Sequence, residues 1–78
     1  LAAPLLSLIA PVKDEEEAIA PFVARMVPIL DHVAGAGQWE VIFIDDGSKD
    51  ATVAAILGAR VRHPSIRLLS LSRNFGKE

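Results

Sequence analysis

Asp45 and Asp46 stand side by side where the apolar run "WEVIFI" stops, with Gly47 and Ser48 directly after them. Paired carboxylates at the end of a buried strand have few chemical uses. Successive side chains of an extended chain point opposite ways, so one can face a ligand and the other the next helix or a neighbouring loop. A carboxylate turned toward a nucleotide base can accept hydrogen bonds from its N–H groups. One set beside a diphosphate needs a cation in between, because bare anions repel. Asp, Gly and Ser after a strand are also ordinary turn and cap chemistry, so "DDGS" alone does not decide.

Two further segments carry polar groups at the ends of apolar runs: Pro11-Val12-Lys13 and Ser72-Arg73-Asn74. Arg73 and Lys77 are candidate phosphate contacts. The acidic stretch "DEEE" (Asp14 to Glu17) suits the first turn of a helix, where negative charge favours the dipole. His32 and His63 read as surface residues near helix ends, and Trp39 reads as a shield at the start of its strand. There is no G-x-G-x-x-G after the first apolar run, no G-x-x-x-x-G-K-[ST], no H-E-x-x-H and no serine elbow.

These segments must be positioned by regular elements. "LLSLIAPV" (Leu5 to Val12) reads as a short strand buried on both faces. Asp14 and Glu17 have the spacing of an N-cap with a reciprocating Glu. Pro21 fits the first turn of a helix over about residues 20–34. In it Ile19, Phe22, Val23, Met26, Leu30 and Val33 recur at helical spacing. Pro28 is expected to kink or split that helix, and "GAGQ" ends it. "WEVIFID" (Trp39 to Asp45) is a second buried strand. Ser48 or Asp50 caps a second helix running to about His63, with Val53, Ile56, Leu57 and Val61 on one face. Pro64 stops it, and "IRLLSLS" (Ile66 to Ser72) is a third strand. The connections are long enough for right-handed crossovers between parallel strands. The expected fold is α/β, the three-stranded β-α-β-α-β half of a doubly wound, Rossmann-like sheet, whose ligands bind at the carboxyl ends of the strands.

At 78 residues the chain holds one domain at most. It is 51% hydrophobic and 23% charged, a globular balance, with a net charge of −2. Its eight Lys and Arg are dispersed, which gives no nucleic-acid footprint. Without cysteine, disulfides and thiolate metal sites are excluded. No apolar run reaches the roughly 18 residues of a membrane span. A start at Leu1 and a stop at "RNFGKE" without a closing element lead us to expect a piece of a longer protein.

Read together, "LSLIAPVKDEEEAI", "WEVIFIDDGSKDAT" and "IRLLSLSRNFGKE" resemble the N-terminal part of the family 2 glycosyltransferases with the GT-A fold. The likeness is greatest to the branch that uses polyprenyl-phosphate or dolichyl-phosphate acceptors. It covers nearly the whole chain, with the three motifs in order. It implies that residues 1–78 are the N-terminal part of a nucleotide-sugar-binding domain. Pro11, Val12 and Lys13 would pass beside the base and ribose, and Glu15 would hold the ribose side. Asp45 would bond the base, with Asp46 as the neighbouring carboxylate, and Arg73 and Lys77 would lie near the diphosphate. The positions matching Lys13 and Asp14 are commonly Tyr and Asn in the family; both depart here, and position 13 offers no ring.

The resemblance further implies an inverting transfer from a UDP- or GDP-sugar to a lipid phosphate at the cytoplasmic face of a membrane. Mg²⁺ or Mn²⁺ would neutralise the leaving diphosphate. No D-x-D occurs in this sequence; that metal motif and the catalytic residues are expected beyond Glu78, so residues 1–78 alone are expected not to transfer sugar. Self-association through the truncated sheet edge is expected. A phosphorylation-receiver domain is a rival, but its acidic pair follows the first strand and a phosphoacceptor Asp ends the third. "LLSLSRN" has no Asp. A non-catalytic structural piece is the second rival.

Overall fold

The computed structural model describes residues 4–71. Five elements follow in order: β1 (Leu6–Val12), α1 (Glu16–Ala34), β2 (Trp39–Asp45), α2 (Thr52–Arg62) and β3 (Ile66–Ser70). The strands form one parallel sheet in the order β1-β2-β3. Register runs from Leu6 opposite Trp39 to Val12 opposite Asp45, and from Val41 opposite Ile66 to Asp45 opposite Ser70. Each crossover therefore moves the chain one strand in the same direction. A constant hand then puts both helices on the same face of the sheet.

That face holds the core. Ile19, Val23 and Leu30 of α1 and Ile56 and Ala59 of α2 pack on Trp39, Val41, Phe43 and Ile66. The rings of Phe22 and Phe43 meet edge-on with centroids 5.9 Å apart. Trp39 is buried, and its indole N–H donates to Asp31 Oδ1 at 2.7 Å, which ties the start of β2 to the last turns of α1.

Among the described residues no helix covers the opposite face, contrary to the expectation that β1 is buried on both sides. Ile9 and Leu69 are exposed there, and Ile42 and Ile44 are half-buried. A polar row lies at the other end of that face: Ser7 Oγ donates to Glu40 at 2.5 Å, and Arg67 pairs with Glu40 at 3.5 Å.

The first helix departs from expectation at its start. It begins at Glu16, so Pro21 lies inside it and beyond its first turn. Asp14 makes no capping box with Glu17; Glu15 is the N-cap residue, and the Asp14 carboxylate is engaged elsewhere. Pro28 does not split the helix, which runs unbroken to Ala34. Pro28 is exposed, so its missing N–H and its ring fall on the solvent side. Gly35, at φ 97, terminates α1 with its N–H on Asp31 O. Val33 is exposed, not part of the buried stripe. On α2 the inward face is Thr52, Ile56 and Ala59, while Leu57 and Val61 are exposed.

Among the described residues, no helix is long and apolar enough to cross a membrane.

Candidate functional site

The carboxyl ends of β1 and β2 meet at one edge, where Val12 lies opposite Asp45. The Asp45–Asp46 step is clamped from both sides. Asp46 N–H donates to Val12 O at 3.1 Å, and Leu71 N–H donates to Asp45 O at 2.8 Å. The pair is therefore held between its two neighbouring strands, not on a free loop.

Strand alternation separates the two carboxylates. Asp45 falls on the helix-facing side with Trp39, Val41 and Phe43, and is 2% exposed. Its oxygens accept from Ser48 N–H at 3.1 Å and from the Ser48 hydroxyl. Those bonds satisfy a carboxylate that burial would otherwise penalise. Asp46 is exposed at the sheet edge. Gly47, at φ 81, turns the chain back so that Ser48 can reach Asp45, a backbone conformation that glycine adopts without steric cost.

The β1–α1 loop sits against this turn. Asp14 is the one described non-glycine residue with positive φ, at 52°. Asp tolerates that region better than most residues. Its N–H donates to Ser48 Oγ at 2.8 Å, and its Oδ1 accepts from Lys49 N–H at 2.7 Å. Ser48 thus links the buried Asp45 to the first loop. Ser48 does not cap α2; Asp50 does that work by accepting Thr52 N–H at 2.9 Å and the Thr52 hydroxyl. The Thr52 hydroxyl and N–H, together with Glu16 N–H, hold the Asp50 carboxyl below the usual carboxylate range.

Of the residues singled out from the sequence, Pro11, Val12, Lys13, Glu15, Asp45 and Asp46 are brought to this one edge. Pro11, Lys13 and Glu15 are exposed, and Val12 is half-buried. Arg73 and Lys77 lie outside the described residues, as does the Ser72-Arg73-Asn74 segment. An open apolar cavity of about 200 Å³ between β1 and α1 borders the site, with Pro11, Val12 and Glu15 in its wall above Ile19, Phe22 and Phe43. A larger groove of about 390 Å³ between α1 and α2 carries none of the candidate residues. Among the described residues, no three His, Asp or Glu side chains are placed to hold a metal ion. Sequence reasoning missed Asp14 and Thr52 as parts of this edge. Their partners are more than thirty residues away, so no local spacing marks them.

Comparison with known proteins places this architecture. The family model described as glycosyl transferase family 2 matches residues 7–78. A prophage bactoprenol glucosyl transferase homolog from Escherichia coli K12 is 44% identical over 73 residues, covering 94% of this chain and 23% of the relative. A dodecaprenyl-phosphate galacturonate synthase from Rhizobium johnstonii is 37% identical over 73 residues, covering 92% of this chain and 21% of that protein. The chain thus spans less than a quarter of the length of these relatives. Among solved structures, a mannosyltransferase from Pyrobaculum calidifontis, in complex with GDP-Man and Mn²⁺, superposes with a TM-score of 0.73 at 23% identity. It covers 97% of this chain and 22% of that one, and establishes the GT-A fold. With the family model matching almost from end to end, the chain belongs to glycosyl transferase family 2.

Proposed function

We propose that this chain is the nucleotide-binding part of an inverting glycosyltransferase that takes its sugar from a UDP- or GDP-sugar. The acceptor is a polyprenyl or dolichyl phosphate, and the enzyme works at the cytoplasmic face of a membrane. The observation that carries the reading is the clamped Asp45–Asp46 step beside the β1–α1 loop, at the strand ends where such sheets bind ligands. The relatives named for bactoprenol and dodecaprenyl phosphate support the acceptor class.

The two carboxylates divide the work. Asp46, exposed at the edge, accepts an N–H of the base. Asp45, which the family resemblance assigns to the base, is buried with its oxygens on Ser48. It braces the turn that presents Asp46. Pro11, Val12 and Lys13 line the base and ribose, and Glu15 meets the ribose hydroxyls. Arg73 and Lys77 approach the diphosphate. The ligands of a divalent cation are taken to lie beyond Glu78, where the family resemblance expects the D-x-D motif.

The open sheet face, with Ile9, Ile42, Ile44 and Leu69, supports self-association when nothing else covers it.

The test is a titration of isotope-labelled chain with UDP and with GDP in Mg²⁺, following backbone amide shifts. Saturable shifts near Val12 and Asp46, lost in Asp46→Asn, are expected. A folded chain that shows none with either nucleotide sinks the reading.

A further inference from the structure

The two loops at the strand ends are bonded to each other in both directions. From the β1–α1 loop, Asp14, Glu15 and Glu16 donate their N–H groups to Ser48 Oγ at 2.8 Å, Thr52 Oγ1 at 2.8 Å and Asp50 Oδ2 at 3.2 Å. From the β2–α2 loop, Lys49 and Ala51 donate theirs to Asp14 Oδ1 at 2.7 Å and Glu16 Oε1 at 2.8 Å.

Two of these bonds, those of Glu16 and Ala51, serve the helix starts, but not as caps usually do. The first N–H groups of a helix have no partner within it, and a side chain one turn away normally takes them. Here neither helix has a side-chain cap from its own N-cap residue. The opening N–H of α1, on Glu16, is taken by Asp50 from the other loop. The N–H of Ala51, which leads into α2, is taken by Glu16. Donor and acceptor are 34 to 37 residues apart in all five bonds. The start of α1 is therefore completed by the other loop, while α2 has its first N–H on Asp50 of its own loop and the preceding Ala51 N–H on Glu16, so a shift of either loop breaks bonds at both helix starts.

We infer that Asp14, Glu16, Asp50 and Thr52 are positioning residues that join the two loops into one unit and set the first loop at a fixed place relative to Asp46. The inference rests on the nucleotide-binding reading for its effect on ligand, but not for the coupling itself. None of the four is assigned a contact with the nucleotide. They act by holding Lys13 and Glu15 on one side and Asp46 on the other, so that binding does not have to order two independent loops.

The positive φ of Asp14 supplies a discriminating set of substitutions. Asn keeps an acceptor oxygen and tolerates this backbone. Gly keeps the backbone and loses the acceptor. A purely conformational role for Asp14 would be rescued by Gly; a bonding role is rescued by Asn alone.

The experiment compares amide hydrogen exchange and nucleotide affinity in the longest native chain that carries this sequence. The proteins are the unsubstituted form, Asp50→Ala, Glu16→Ala, and Asp14→Asn and Asp14→Gly. Asp50→Ala is expected to raise exchange at residues 14–16 about tenfold, while the amides of Val41 and Phe43 keep their rates. Glu16→Ala is expected to do the reverse at residues 49–51. Asp50→Ala and Asp14→Gly are expected to weaken UDP or GDP binding in Mg²⁺ about tenfold, and Asp14→Asn to leave it within about threefold. Unchanged exchange in the loop opposite the substitution would overturn the inference, as would a uniform rise across the sheet. Coupled loops with unaltered affinity would overturn the positioning role. If the unsubstituted protein binds neither nucleotide, the nucleotide reading falls, and the exchange pattern still judges the coupling.

Discussion

Asp45 and Asp46 are joined by a peptide clamped to both neighbouring strands, yet one carboxylate is buried on Ser48 and the other is exposed. Opposite consequences follow for their substitution. Asp45→Ala strips Ser48 of its acceptor and is expected to cost about 1–3 kcal/mol. In a domain of this size each kcal/mol lowers Tm by roughly 4–8 °C. Asp46→Asn is expected to change stability by less than about 1 kcal/mol while removing nucleotide-dependent amide shifts. Chemical denaturation alongside the UDP and GDP titrations separates the two; equal destabilisation by both would contradict the division of labour.

Asp50 sets a pH dependence. Its carboxyl is held below its ordinary value, first by the Thr52 hydroxyl and also by the N–H groups of Thr52 and Glu16. A depressed folded-state pKa contributes stability that is present above the unfolded value and is lost as pH falls through the folded one. Protection of the Glu16 amide should therefore be full above the unfolded-state value and be lost as pH falls through the lower folded-state value. The Asp50→Asn protein isolates the contribution, and its Glu16 amide should show a weaker acid dependence. An identical acid profile in both proteins would remove Asp50 from the account.

The hydrogen bond from Trp39 to Asp31 is the most local of the tertiary ties, and it reports on itself. Trp39 is the only tryptophan, so its fluorescence follows the junction of α1 and β2. Asp31→Ala leaves a buried indole N–H without its acceptor and is expected to cost about 1–3 kcal/mol. In a Trp39→Phe background, where no N–H needs a partner, Asp31→Ala should cost much less. A double-mutant cycle that closes to zero would show the bond to be energetically idle.

The open face of the sheet gives the fourth expectation. Ile44 and Leu69 lie opposite one another across β2 and β3 on that face. The 78-residue chain is expected to self-associate in a concentration-dependent way, and Ile44→Lys with Leu69→Lys is expected to abolish it. Sedimentation velocity decides the matter: a sharp monomer of the unsubstituted chain at high concentration would show that this face is not sticky.

Much of the scaffold was readable from apolar runs. The second strand has the expected limits, Trp39–Asp45, and the first differs by one residue at its start. The start of α1 was not readable, for a physical reason: its first turn is stabilised from Asp50, far along the chain, while Pro21 offers a local start signal that the fold does not use. The inward face of α2 was misjudged because counting large apolar residues favours Leu57 and Val61. The face that turns inward carries Thr52 and Ala59 beside Ile56. "DDGS" marked the end of β2, and strand alternation foretold that its carboxylates diverge. Which of them faces inward depends on which side of the sheet the helices cover, and that is a property of the topology.

The reciprocal caps also order events in time. As the chain is synthesised, Glu16 emerges 34 residues before Asp50, the residue that takes its N–H. Until then the opening turn of α1 lacks its cap, and β1 has no partner strand before residues 39–45 appear. Closing so long a segment is the slow part of forming parallel structure. The junction of residues 14–16 with 48–52 therefore cannot be complete until the last of its partners has emerged. A nascent chain arrested before Thr52 would hold most of α1 and the first two strands and no finished edge at all.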